Sequence, residues 1–153
     1  MLTKPLHGWT DFSLEGTSSY GLSYLDDIAF EWVEQAIHGL ETLLPFCVKG
    51  FLEPGRLICN VSYWNCYIII ESDERYPLQK ENIAYIYSHT SMLEFCKYLY
   101  MDISNYIDEW VSFVDYCDDN QEEKRQKLIS QIEKLKRLID EKEEYFDQNH
   151  GFL

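Results

Sequence analysis

The chain has few basic residues and no long apolar run. Of its 153 residues, 13 are Lys or Arg and 27 are Asp or Glu, which gives a formal net charge of −14. Such a charge repels nucleic-acid phosphates and anionic lipid surfaces, so we expect neither direct nucleic-acid binding nor membrane binding. Continuous apolar stretches such as residues 68–70 fall far short of the ~20 residues that cross a bilayer.

Secretion signals and paired cysteines are also lacking. Residues 1–7 contain no positive stretch that leads into an apolar core, so the chain is expected to stay in the cytoplasm. The cysteines form an odd set without C-x-x-C pairs, which predicts reduced core residues and no zinc site. They are Cys47, Cys59, Cys66, Cys96 and Cys117.

Motifs for catalysis are absent as well. G-x-S-x-G, Walker A, G-x-G-x-x-G and H-E-x-x-H do not occur. His89 has serine and threonine neighbours, but no residue that would orient it, so the group is typical of a polar helix start. Adjacent carboxylates at 26–27 and 118–119 are explained by helix capping. We therefore expect no enzyme, no catalytic residue, no metal and no cofactor.

Enough apolar side chains are present for a folded core. Apolar residues make up 46% of the chain and aromatic residues 16%, which argues against disorder and fits a single domain over residues 1–153. Apolar residues recur at spacings of three and four between residues 27 and 44, which predicts a helix that Pro45 stops. The stripe consists of Phe30, Val33, Ile37, Leu40 and Leu44.

Strand-forming runs flank this helix. Residues 53–56, Glu-Pro-Gly-Arg, predict a turn because proline fixes φ and glycine tolerates positive φ. Residues 83–87 fit either a last strand or a first helical turn, and we favour a strand. We therefore expect an N-terminal helix packed on a small antiparallel sheet, within a mixed α/β body of residues 1–90. The other predicted strands are residues 10–14, 46–52, 57–63 and 66–71.

Residues 91–150 predict a long antiparallel α-helical hairpin. Apolar residues at alternating spacings of four and three form a continuous seam on each of two segments. Ser91 and Glu94 predict a capping box at the start, and residues 118–120 break the chain between helices of equal length. The hairpin also offers a surface for a homodimer. The seam residues are Met92, Cys96, Leu99, Ile103, Tyr106, Trp110, Phe113 and Cys117, then Leu128, Ile132, Leu135, Ile139, Lys142 and Phe146.

An acidic face on the first predicted helix is the strongest functional signal. Four carboxylates and one histidine recur there at spacings of four and three, and no Lys or Arg occurs between residues 4 and 49. Like charges at these spacings repel one another, whereas residues 121–147 interleave both signs as a solvated face does. Nearby aromatic residues are typical of protein-binding hot spots. The predicted partner-binding residues are Tyr20, Tyr24, Asp26, Asp27, Glu31, Trp32, Glu34, His38 and Glu41.

A dense acidic face beside aromatic residues suits a basic protein partner. Nucleases are basic because their substrate is acidic, so a small acidic protein can occupy their substrate groove. Barstar and the colicin nuclease immunity proteins inhibit nucleases by direct binding. The present chain is comparable to them in charge and size only. We therefore expect a cytosolic immunity protein or antitoxin that neutralises a basic, nuclease-type toxin by direct binding. The alternatives are an acidic anti-defence protein that mimics DNA and an oligomerisation module.

Overall fold

The chain folds as an α+β structure, as the sequence predicts. The computed structural model describes residues 1–73, 75, 78–114 and 120–149. A two-stranded and a four-stranded antiparallel sheet are combined with helices, of which the last is the longest. The elements are β1 (Trp9–Phe12), β2 (Tyr20–Ser23), α1 (Ile28–Thr42), β3 (Phe46–Phe51), β4 (Arg56–Val61), β5 (Cys66–Glu71), a 3₁₀-helix (Lys80–Asn82), β6 (Ile83–Ser88), α2 (Met92–Ser104), α3 (Ile107–Val111) and α4 (Gln121–Asn149).

The ends of α1 lie close to their predicted positions. Asp27 occupies the N-cap position, but its side chain makes no capping hydrogen bond, so the capping role assigned to residues 26–27 is wrong there. At the other end, Leu43 adopts a left-handed conformation with φ 56°, and its N–H donates to the carbonyl of Gly39. The helix therefore ends before Pro45, which cannot continue it.

The apolar stripe of α1 packs against β3 and against helices α2 and α4. Val33, Ile37 and Leu40 are buried as predicted, whereas Leu44 lies beyond the helix and is exposed. Trp32 lies at the centre of the buried side: its ring meets Phe12 edge to face at 5.2 Å between centroids. The inward stripe is thus rotated from the predicted one towards Trp32.

Strands β3 to β6 form an antiparallel meander in chain order. The ambiguous segment at 83–87 is a strand, β6, which pairs with β5 in the register Ile68 opposite Ile86. Side chains alternate across the sheet, so one face joins the core and the other faces away from it. The inward side chains include Phe46, Val48, Leu57, Cys59, Val61, Cys66 and Ile68.

The turn between β3 and β4 contains a glycine that the geometry requires. Gly55 has φ +86°, and a Cβ at this position would lie 2.2 Å from the carbonyl oxygen of Glu71. The neighbouring Arg56 guanidinium forms an ion pair with Glu71 across β4 and β5. The turn predicted at residues 53–56 is therefore confirmed, and it brings β5 close to the β3–β4 connection.

The N-terminal β1–β2 hairpin is predicted only in part from the sequence. Instead of one strand at residues 10–14, β1 covers Trp9–Phe12 and pairs with β2, Tyr20–Ser23. Each strand has only four residues, too few for a clear alternation of polar and apolar side chains. The hairpin lies beside β3, where the Leu22 side chain meets Gly50.

The predicted first helix of the C-terminal hairpin is divided into α2 and α3. Tyr106 has φ −138°, outside the helical region. The carbonyl of Asp102, which would accept the Tyr106 N–H in a continuous helix, instead accepts a hydrogen bond from the Trp110 indole at 3.1 Å. The seam nevertheless stays buried, since Ile103 and Trp110 on either side of the break are inaccessible to solvent. Cys117 and residues 118–119 lie outside the described residues.

α4 runs antiparallel to α2 and α3, and it also packs on α1. The Lys97 ammonium of α2 pairs with Glu143 near the end of α4, and Asp108 of α3 pairs with Arg125 near its start. Seam residues of α4 are buried within the chain at Leu128, Ile132, Leu135, Ile139 and Phe146. The α4 seam therefore packs within the chain, and the homodimer through the hairpin stays a prediction. None of the described helices combines the length and apolarity needed to span a bilayer.

Candidate partner-binding surface

The outward side of α1 carries acidic residues, as the spacing predicts. Glu31, Glu34, His38 and Glu41 are exposed along the helix. The apolar stripe of α1 faces the core. These side chains lie on the other side of the helix and point away from the core. They form a row on the surface of the molecule.

Asp26 and Asp27, at the start of this row, are not free surface carboxylates. Asp26 is 8% exposed and lies 3.7 Å from the Lys49 ammonium. Burial raises its pKa, and Lys49 opposes that rise. Asp27 is half-buried; burial raises its pKa, while the charges of Lys124 and Lys127 on α4 lower it. Both carboxylates are therefore at least partly buried beside lysines of the same chain.

Glu41, at the other end of the row, is bound by α4 as well. Its carboxylate lies 2.8 Å from the Lys134 ammonium. The hydrogen bond from Lys134 lowers the pKa of Glu41 and favours its charged form. Lysines of α4 therefore oppose both ends of the acidic row.

Glu31 and Glu34 remain in the middle of the row. Within the part of the chain that the structure describes, neither forms an ion pair. The pKa of Glu31 is raised first by partial burial and then by the charge of Asp26; Lys49 lowers it, and Asp27 and Glu34 raise it further. The unfavourable charge density thus concentrates at Glu31 and Glu34.

A groove of about 410 Å³ runs between these two carboxylates and the sheet. Glu31, Glu34 and Gln35 form its helical wall, and Cys47 and Ile58 are among the residues opposite. The groove therefore has two carboxylates on its helical wall, and on the opposite wall the apolar Cys47 and Ile58 beside the basic Lys49 and Arg56, of which Arg56 is paired with Glu71. Basic side chains with long aliphatic stems match such a surface, since the stem packs while the charged end meets carboxylate. The full lining is Glu31, Trp32, Glu34, Gln35, Cys47, Val48, Lys49, Arg56 and Ile58.

The structure corrects the predicted aromatic anchors. Trp32 is 0% exposed, and its indole N–H donates to the carbonyl of Lys49 at 2.8 Å; it is a core residue and not a partner-binding one. Tyr20 is half-buried against the same core. Tyr24 is exposed, but it lines a different cavity, beside His7 and Glu109. The aromatic and acidic residues predicted as one site are thus not brought together.

Exposed tyrosines occur elsewhere, on the outer face of the sheet. Tyr67 and Tyr87 pack edge to face at 5.3 Å between ring centroids, and the Tyr87 hydroxyl lies 3.2 Å from Nδ1 of His89. Tyr85 is 71% exposed. Alternation along β6 places Tyr85 and Tyr87 on a common face, but the sequence does not show whether that face is buried or exposed.

Among the described residues, no three His, Cys, Asp or Glu side chains converge as a metal site would require. Cys59, Cys66 and Cys96 are buried, and burial raises the pKa of the Cys96 thiol. No family model, no curated protein and no solved structure matches the chain. Function must therefore be inferred from the geometry and charge of the chain itself.

Proposed function

We propose that the protein is a cytosolic immunity protein or antitoxin that neutralises a basic, nuclease-type toxin by direct binding. The proposed contact surface is the middle of the α1 row, Glu31 and Glu34, together with the groove beside them. His38 borders this surface on α1. No catalytic step by this chain is part of the proposal.

The main support for the proposal is a difference between the carboxylates at the ends of the acidic row and those in its middle. The carboxylates at its ends, Asp26, Asp27 and Glu41, are opposed by lysines of the same chain. Glu31 and Glu34 form no ion pair among the described residues. The pKa of Glu31 is raised by burial and by repulsion from the like charges of Asp26, Asp27 and Glu34, although Lys49 opposes this rise. A basic partner would relieve that repulsion.

The net charge supports the same conclusion at longer range. A chain with charge −14 attracts a basic protein before contact, which raises the association rate by about 10- to 1000-fold at low salt. Tight binding then depends on desolvated contacts, which the groove wall at Cys47 and Ile58 can supply. Speed of this kind suits an inhibitor that must capture a toxin before it acts.

Charge reversal at the two free carboxylates tests the proposal. The tagged chain is used to capture its partner from a lysate of the native host, and the captured protein is purified. We expect Glu31→Lys/Glu34→Lys to slow association with that protein by about tenfold or more at low salt, with a smaller effect at high salt. The measurement is association kinetics at two ionic strengths, together with the partner's catalytic activity with and without this chain.

A matched variant makes the same charge change elsewhere. Glu133→Lys/Glu144→Lys alters two exposed carboxylates of α4, so it changes the net charge equally without touching α1. Equal rates for the two double variants would show that α1 is not the contact surface. A captured protein whose activity is unchanged by binding would rule out the inhibitor role.

A further inference from the structure

The four-stranded sheet has two edges, and one of them is closed within the chain. β3 forms the first edge. The carbonyl of Lys49 accepts a hydrogen bond from the Trp32 indole, which lies on the side of β3 away from β4. The β1–β2 hairpin packs on the core side of β3, with Leu22 against Gly50. A further strand therefore cannot pair at this edge without displacing Trp32.

β6 forms the second edge, and its outward backbone groups can be identified from the register. Ser72 N–H donates to the carbonyl of Asn82 just before β6. Hydrogen-bonded and non-hydrogen-bonded pairs alternate along an antiparallel ladder. Residues 84, 86 and 88 therefore direct their N–H and C=O groups towards β5, while Tyr85 and Tyr87 direct theirs outward. No described residue forms a hydrogen bond with these four backbone groups.

The features that normally protect an edge strand are missing from β6. Ile83–Ser88 contains no charged residue, no proline and no glycine. Natural edge strands avoid pairing with other chains through lysines, prolines, bulges or covering segments. Tyr85 is instead the most exposed large side chain of the sheet, at 71%. Ser88, at the end of β6, is buried beside Glu15, whereas the edge at Tyr85 and Tyr87 is exposed to solvent.

We propose that β6 of a second copy of this chain pairs with β6, in antiparallel register about Ile86. Tyr85 then lies opposite Tyr87 of the second copy, and Tyr87 opposite its Tyr85. Each pair exchanges two hydrogen bonds, so the backbone N–H and C=O groups of Tyr85 and Tyr87 in each copy are all satisfied. The spacing of two residues between Tyr85 and Tyr87 makes the edge self-complementary.

Side-chain chemistry also favours a second copy. Tyr85 and Tyr87 lie on the outer face, so the register forms two cross-strand aromatic pairs. Ile86, half-buried on the inner face, meets the same residue of the second copy. The strand carries no charge, so contact at β6 creates no like-charge pair even though each chain carries −14.

The dependence of affinity on salt concentration distinguishes this interface from binding of a basic partner. Two chains of charge −14 repel each other at a distance, so added salt should strengthen the dimer. Binding of a basic partner should weaken under the same change. The two ideas therefore have opposite salt dependence, and the dimer does not depend on the proposed function.

The test uses two charge variants of the full chain. Tyr85→Lys/Tyr87→Lys and Tyr85→Glu/Tyr87→Glu each place like charges opposite one another in the proposed register, whereas a mixture of the two places Lys opposite Glu. Analytical ultracentrifugation at low and high salt measures the dimer dissociation constant, and circular dichroism checks that each variant is folded. We expect a wild-type dimer, a dissociation constant raised at least about tenfold in each variant alone, and recovery in the mixture.

A matched pair of variants tests whether the backbone N–H of Tyr85 takes part in the dimer. Tyr85→Pro removes one outward N–H, at a position where an edge strand tolerates proline, whereas Tyr85→Ala removes the ring and keeps the N–H. The proline variant should weaken the dimer more than the alanine variant. A wild-type chain that stays monomeric at its highest soluble concentration in high salt would overturn the proposal. So would a dimer that both charge variants leave intact, or a monomer whose β6 captures a foreign strand instead.

Discussion

At the scale of single residues, Gly39 marks the closest approach of α1 to the sheet. A Cβ at this position would lie 2.2 Å from Cδ1 of Phe46. Phe46 is buried and its ring packs against Phe95 at 5.8 Å between centroids, so it has little room to move. The usual gain of about 1 kcal/mol for alanine over glycine in a helix is therefore reversed.

We expect Gly39→Ala to lower the free energy of unfolding by about 1–3 kcal/mol, as overpacking of a close-packed core does. Denaturant unfolding monitored by circular dichroism gives the value. Ser130→Ala, at an exposed position of α4, is the control and should be neutral or slightly stabilising. A stabilised Gly39→Ala protein would show that α1 does not approach the sheet so closely.

The half-buried carboxylate of Asp27 makes stability depend on pH. Burial raises the pKa of Asp27 above its ordinary value despite Lys124 and Lys127. A carboxyl with a raised folded-state pKa stabilises the fold below its unfolded-state pKa, and that contribution is lost as pH rises through the folded-state pKa. Asp27→Asn removes this titration.

We therefore expect the stability of Asp27→Asn relative to wild type to increase from about pH 4 to about pH 7. Thermal unfolding of both proteins across this range is the measurement. Glu133→Gln, at an exposed position of α4, serves as the control and should show no comparable increase. A difference that is constant with pH would contradict the burial of the Asp27 carboxylate.

At the scale of elements, the break between α2 and α3 depends on one tryptophan. Trp110 is fully buried, packs against Phe113 at 5.3 Å between ring centroids, and donates to the Asp102 carbonyl. Its removal leaves a large cavity and frees a carbonyl at the end of α2. We expect Trp110→Ala to lower the free energy of unfolding by about 3–5 kcal/mol.

Chemical denaturation measures this loss. Tyr98→Ala, which truncates an exposed aromatic residue on α2, provides the comparison and should cost much less. An unchanged denaturation midpoint in Trp110→Ala would mean that the seam does not bury this side chain.

Elements with local signals could be predicted from the sequence. The capping box of Ser91 and Glu94 is present in full, because both partners lie within one turn. β5 has the predicted limits, Cys66–Glu71, because its apolar run is bounded by polar residues. The break at Tyr106 could not be predicted, since the heptad spacing continues across it and the compensating hydrogen bond comes from an indole four residues further on.

At the scale of the whole molecule, the residue spacing predicts the acidic row on α1. It does not predict which of these carboxylates form ion pairs with other elements of the chain. The periodicity of α1 places Glu31, Glu34 and Glu41 on one side because helix geometry is local. Lys134, which binds Glu41, lies on α4, and no spacing within α1 reveals that contact. Trp32 was misassigned for the same reason: its burial depends on how α1 packs against β3.

The Trp32 indole on the Lys49 carbonyl also limits how large an assembly can become. A sheet with two open edges can add chains end to end without limit, as fibres do. In the four-stranded sheet, as far as the structure describes the chain, β6 is the exposed edge, and the proposed pairing about a two-fold axis would use it in both chains at once. Growth by this pairing would then stop at two copies, because the Trp32 indole occupies a carbonyl on the opposite edge and blocks the addition of a further strand there.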